Sequence, residues 1–183
     1  MRRMEKNNSG FSIVELIIVI AIIAAVLTTA ALSVGLVFSA NARTCTNDII
    51  GAISECKIAT MSAGRGNVRL LLYRDDTGTV FSELQTLEAG SWTTGNNGAE
   101  KIGARRCMVT TIDEEGKVVE LGQRDDAWEI YFNRSSGSFL ESLDSGATAT
   151  NVWEIYVRGG SKNYHIHLER LTGKTTMKLL PIP

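Results

Sequence analysis

Hydrophobic and polar positions divide the chain into three unequal stretches. The first ten residues are polar and carry Arg2, Arg3 and Lys6. From Phe11 to Ala42 there is one charge, Glu15, and Leu16–Leu27 has no polar side chain. An apolar run with no polar face predicts a helix surrounded by lipid or by other apolar helices. The 27 residues Leu16–Ala42 would span roughly 40 Å as a helix, more than the ~30 Å of a bilayer's hydrocarbon core. With the basic residues ahead of it, the positive-inside rule keeps the N-terminus cytoplasmic and sends the rest across.

Farther along, a stripe replaces the all-round apolar pattern. Phe38, Ala42, Cys45, Ile49, Ala52, Cys56, Ala59 and Ala63 recur at alternating spacings of 4 and 3, while Arg43, Asn47, Asp48, Glu55 and Lys57 fall off the stripe. This predicts that the helix continues, with one face of mostly small side chains. Four alanines make a thin seam for a coiled coil, so a close approach to a β-sheet fits better.

After Gly64 the period shortens to two. Val68–Tyr73, Cys107–Ile112, Val118–Leu121, Trp128–Phe132, Val152–Val157, Tyr164–Leu168 and Thr175–Leu180 read as strands. Turn-like runs separate them: DDTG at 75–78, DEEG at 113–116, RSSG at 134–137, GGSKN at 159–163 and TGK at 172–174. Apolar residues alternate with polar ones in several, as in half-buried antiparallel strands. Ser82–Ile102 shows neither pattern and reads as a long loop. Trp-Glu-Ile-Tyr occurs at 128–131 and again at 153–156, too short a match to define a repeat.

Composition adds a few exclusions. Lys and Arg total 19 against 20 Asp and Glu, a balance that argues against a general polyanion binder or an acidic disordered chain. The charge is unevenly placed: residues 113–154 hold ten acidic and three basic side chains. Residues 158–178 hold five basic ones, Arg158, Lys162, Arg170, Lys174 and Lys178, and one acidic, Glu169. This reads as complementary subunit contacts or an ordinary mixed surface, with non-specific contact to DNA phosphates as the sharper alternative.

Candidate chemistry is sparse. There is no G-x-S-x-G elbow, no phosphate-binding glycine loop and no base with an orienting partner, so an enzyme is not expected and no cofactor is implied. His165, His167 and Glu169 would share one strand face opposite Ile166 and Leu168, but no further ligand is apparent, and a solvated face is the expected reading. Asp125-Asp126 and Asp113-Glu114-Glu115 lack the alternate-oxygen spacing of a calcium loop. Cys45, Cys56 and Cys107 form an odd set without a CxxC pair. On one helix Cys45 and Cys56 would lie roughly 16 Å apart, too far to bond to each other. Three buried free thiols, or a bond from Cys45 or Cys56 to Cys107 in an exported head, are both open.

Glu15 carries the sharpest signal. A carboxylate near the start of a spanning helix is costly and should have a partner. Gly10-Phe11-Ser12-Ile13-Val14-Glu15-Leu16, after a basic leader and before a long apolar run, closely resembles the prepilin processing motif of type IV pilins and type II secretion pseudopilins. The resemblance implies cleavage between Gly10 and Phe11 by a prepilin peptidase that also N-methylates Phe11. It further implies that Glu15 neutralises the Phe11 amine of an adjacent subunit. Many pilins have a proline in the membrane half of this helix; here Leu32 stands near that place, and the only prolines are Pro181 and Pro183. A strand, the Ser136-Gly137 turn, a variable stretch and two closing strands around Leu171-Thr172-Gly173-Lys174 give a weaker likeness to GspH/FimT-type minor pseudopilins and minor pilins, some of which bind DNA.

The expected architecture is α+β, a pilin-like long N-terminal helix packed on an antiparallel β-sheet head. Residues 1–10 form the cleaved leader, 11–63 the helix (about 11–40 transmembrane) and 64–183 the head. The expected partners are the processing peptidase and methyltransferase, other pilin or pseudopilin subunits, a membrane assembly platform and the lipid bilayer. The precursor is expected in the inner membrane, and the mature chain in an extracellular pilus or a periplasmic or cell-wall pseudopilus. Two alternatives compete: a membrane-tethered binding module for DNA uptake or adhesion, and a secreted protein released after Ala42. Ala40-Asn41-Ala42 matches a small-x-small cleavage site, although the apolar run is about twice the usual 7–15 residues of a secretory signal.

Overall fold

The structure, a computed structural model, describes residues 12–62, 67–104, 107–113, 115–141, 150 and 152–181; the side chains of 29–34, 96 and 97 also lie outside the description. Among the described residues one helix, α1 (Ile13–Met61), precedes ten strands. They are β1 (Val68–Arg74), β2 (Val80–Glu88), β3 (Ser91–Gly103), β4 (Met108–Ile112), β5 (Val118–Glu120), β6 (Trp128–Phe132), β7 (Phe139–Leu140), β8 (Glu154–Gly159), β9 (Lys162–Glu169) and β10 (Lys174–Leu180). A 3-10 turn covers Arg124–Asp126. The chain divides into two compact units, the first ending at Gly35 and the second beginning at Leu36. The fold class is α+β, with an antiparallel β domain after a long N-terminal helix.

Among the described residues, no helix is long and apolar enough to cross a membrane. The apolar stretch described with its side chains, Ile13–Thr28, has 16 residues and measures about 24 Å. A membrane role for this segment therefore rests on the sequence of the whole apolar run.

In the second unit the strands form two five-stranded antiparallel sheets rather than one. Their orders are β3-β2-β1-β6-β7 and β10-β9-β8-β4-β5. The helix stripe lies in the core shared by both. Ala42, Cys45, Ile49 and Cys56 are buried beside Leu70, Leu72 and Ile130 of the first sheet and Ile155, Val157 and Ile166 of the second. Ala63 lies outside the described residues. The buried face is wider than one seam, because Ser39, Thr46, Ile53 and Thr60, spaced by seven, are buried as well. Thr46 and Thr60 donate their hydroxyls to the carbonyls of Ala42 (2.7 Å) and Cys56 (2.8 Å), one turn earlier. That satisfies the polar atom and lets threonine serve as an apolar residue.

Two ties set the helix along β9. Ser39 shares a hydroxyl hydrogen bond with Ser161 at 3.2 Å and accepts from its backbone N–H. Eighteen residues on, Lys57 Nζ donates to the carbonyls of Thr172 (2.8 Å) and Gly173 (3.3 Å). Eighteen helical residues rise about 27 Å and the eight residues of β9 about 26 Å, so helix and strand match in length. Gly159 permits the close approach, since a Cβ there would fall 2.7 Å from the Phe38 carbonyl oxygen and 2.9 Å from Ala42 Cβ.

The stretch expected as a loop, Ser82–Ile102, is instead most of the β2–β3 hairpin, paired from Val80↔Gly103 to Glu88↔Ser91. Ala89 and Gly90 both have positive φ, as a tight hairpin turn requires. Glycines, asparagines and a register irregularity between Glu83 and Gln85 hide the alternation. The hairpin also brings charge indoors. Glu83 is 2% exposed and accepts hydrogen bonds from Gln85, Thr94 and Arg124. Burial pushes its carboxyl up, and these donors more than offset that, leaving it below the usual carboxylate range.

Candidate functional site

Gly10 and Phe11 lie outside the described residues, and the description begins one residue later. Ser12 precedes α1, and its hydroxyl accepts the Val14 N–H at 3.3 Å, which makes it the N-cap. Glu15 is in the first turn, three residues past the cap. Serine followed three residues later by glutamate is the capping-box pattern, and an acidic group is also favoured by the helix dipole there. Glu15 thus has a local reason to sit where the motif puts it. None of the ion pairs among the described residues includes it.

The helix from Leu16 to Leu27 has no polar face. Leu16, Ile17, Ile18, Val19 and Ile20 sweep more than one full turn, and each is 45–59% exposed. Isolated apolar residues on a surface are ordinary, whereas a helix apolar on every side is a surface awaiting partners.

The five basic residues singled out from the sequence do not form one patch. Arg158, Lys174 and Lys178 share the outward face of the second sheet, in the register Lys178↔His165↔Tyr156 and Lys174↔Glu169. Lys162 has the parity of the inward row of β9. Arg170 lies in the β9–β10 turn, 4.5 Å over the Trp153 ring and ion-paired with Glu141.

His165, His167 and Glu169 do share a face opposite the buried Ile166 and Leu168. Glu154 of β8 joins them, 3.8 Å from His165 Nε2 and 3.8 Å from His167 Nδ1. Tyr156 donates to Glu154 at 2.8 Å and stacks on His165 at 4.7 Å. Burial and that carboxylate together push the Tyr156 hydroxyl up to about 12. Among the described residues, no cluster of three or more His, Cys, Asp or Glu is arranged to hold a metal ion. The two Trp-Glu-Ile-Tyr segments share a function that length alone did not reveal. In each, the tyrosine donates to the glutamate two residues earlier on the face away from the helix, Tyr131 to Glu129 and Tyr156 to Glu154.

All three cysteines are buried free thiols. Cys56 points its sulfur toward the Ile130 carbonyl at 4.0 Å. Cys45 and Cys107 lie close enough for their thiols to interact. That contact, followed by burial, raises the Cys45 thiol, and the same contact holds the Cys107 thiol below its ordinary value.

Residues 6–31 match the family model described as the prokaryotic N-terminal methylation motif. The matched segment runs into the first part of α1, and it is a motif of the kind that type IV pilins and pseudopilins carry. No curated protein and no solved structure matches the chain.

Proposed function

We propose that this chain is a prepilin-like structural subunit of a type IV pilus or pseudopilus. It is cut after Gly10, N-methylated at Phe11 and assembled through its apolar helix. The observation that carries the reading is the continuity of α1. The matched motif opens a helix whose apolar side chains from Ile13 to Leu27 are exposed all round and whose second half is built into the head's core. In the precursor, the segment from Phe11 to about residue 35 lies in the inner membrane, since these 25 residues reach about 37 Å. In the filament the same segments bundle, and the Glu15 carboxylate pairs with a neighbour's Phe11 ammonium. The work is assembly rather than catalysis, and the two β-sheets face outward.

The buried position of Ala42 supports this reading over release as a secreted protein. Ala42 is fully buried in the head and Ser39 is tied to Ser161, so a cut after Ala42 would strip part of the core. The likeness of the last strands to GspH/FimT-type minor subunits gains support from the meeting of its two glycine turns. Phe139 N–H donates to the Arg170 carbonyl at 3.0 Å, and Gly173 packs on Gly137.

Mass spectrometry of the mature protein tests the processing step. The expected N-terminus is a methylated Phe11. An N-terminus at Asn41, Ala42 or Arg43 would replace the filament reading with the secretory one.

A further inference from the structure

We propose that Cys45 and Cys107 are a bond-forming pair that closes a disulfide between the helix and the approach to β4, with Cys56 left as a permanent thiol. Of the two partners open to Cys107 in the sequence, the fold supplies one. Cys45 and Cys107 are 0% and 1% exposed in the same core cluster, close enough for each thiol to shift the titration of the other. Room for the Cys45 sulfur comes from Gly103: it lies 2.7 Å from where a side chain on that glycine would begin. The Cys107 N–H donates at 2.9 Å to the carbonyl of Ala104, next to Gly103 in sequence. Arg74 fixes Cys107 from β1, with Nη2 donating to its carbonyl at 2.8 Å. Cys56 is eleven residues away along the helix and turned to Ile130 of the first sheet.

The bond forms by thiol–disulfide exchange, which is open to either sulfur and balances with Cys107 as the first nucleophile. The Cys107 thiolate breaks the disulfide of an oxidant, such as oxidised glutathione or a thiol–disulfide oxidoreductase, forms a mixed disulfide and releases one thiolate. Cys45, giving its proton to that leaving thiolate, then attacks Cys107 sulfur and releases the second. Two electrons and two protons pass to the oxidant, which leaves as two thiols. Because both sulfurs are buried in the finished fold, the oxidant reaches them before the helix docks, so the bond closes as the head folds.

The bond would close a loop of about 60 residues and hold the helix to the head. Its formation in the cell rests on the exported head of the proposed function, while its formation in a tube does not. The full-length chain in detergent, reduced, unfolded and refolded in a mixture of reduced and oxidised glutathione, is digested without reduction. The expected map has one linked peptide pair, Cys45 with Cys107, and a freely alkylated Cys56. Cys56→Ala should keep the link, and Cys45→Ala or Cys107→Ala should lose it. Reducing the wild-type bond should lower the Tm by roughly 10 °C. A linkage that includes Cys56, or three alkylatable thiols after oxidative refolding, would overturn the proposal. A link that forms in the tube but is missing from the exported protein would count instead against delivery of the head to an oxidising compartment.

Discussion

Glu15→Ala is expected to give a processed, membrane-resident protein that is at least about tenfold depleted from sheared filaments. Insertion of a lone subunit should be unaffected or slightly easier, because a charge near the start of an apolar helix is removed. Assembly should suffer, because the neighbouring Phe11 ammonium would stand unpaired among apolar helices. The capping-box position of Glu15 makes the choice of variants matter, since alanine removes both the charge and a side chain able to cap. Gln keeps the capping geometry and removes only the charge, so the account expects Gln to fail about as badly as Ala. Asp keeps the charge one methylene shorter and should partly rescue. Near-normal incorporation of the Gln variant beside a defective Ala variant would make Glu15 a helix cap rather than an assembly contact. The readout is each variant's share of the sheared fraction against its membrane pool.

Gly173→Ala is expected to destabilise the head by about 3–5 kcal/mol, a fall in Tm of about 10 °C. Gly173 has φ +59°, which an alanine adopts only with strain. A Cβ there would also collide with the Gly137 carbonyl oxygen and reach 3.1 Å from the Phe132 ring. Neither neighbour can give way cheaply. Gly137 itself has φ +68° and is packed on Met61 and Lys57, while Phe132 is 2% exposed and packed on Phe139. Leu171→Ser, in the same turn but 83% exposed, should stay within about 0.5 kcal/mol of wild type. Thermal unfolding of the detergent-solubilised chain, followed by tryptophan fluorescence, measures both. A Gly173→Ala protein as stable as Leu171→Ser would show that the two turns are not pressed together.

The contrast between the helix and the sheets shows what a sequence reveals about such a chain. The stripe through Ala42, Cys45, Ile49 and Cys56 is legible because apolar spacing is the direct imprint of a buried helix face. Its companion column, Ser39, Thr46, Ile53 and Thr60, was hidden by hydroxyls that the helix's own carbonyls neutralise at Thr46 and Thr60. The β2–β3 hairpin escaped for a related reason: buried Glu83 accepts from Gln85, Thr94 and Arg124, so a covered strand reads as a polar loop. The Gly10-Phe11-Glu15 motif is local, and spacing alone suffices to find it. The nearness of Cys45 to Cys107 and the dispersal of the five basic residues depend on which elements become neighbours. A one-dimensional pattern does not encode that order.

The most direct test of the account is to shear surface filaments from cells expressing the native chain, sediment them, and quantify the chain by mass spectrometry in the filament, membrane and soluble fractions. The account predicts that the sedimented fraction contains the mature chain, intact from a methylated Phe11 through its head. A chain confined to the membrane as dispersed monomer, or found soluble without residues 11–40, would contradict it.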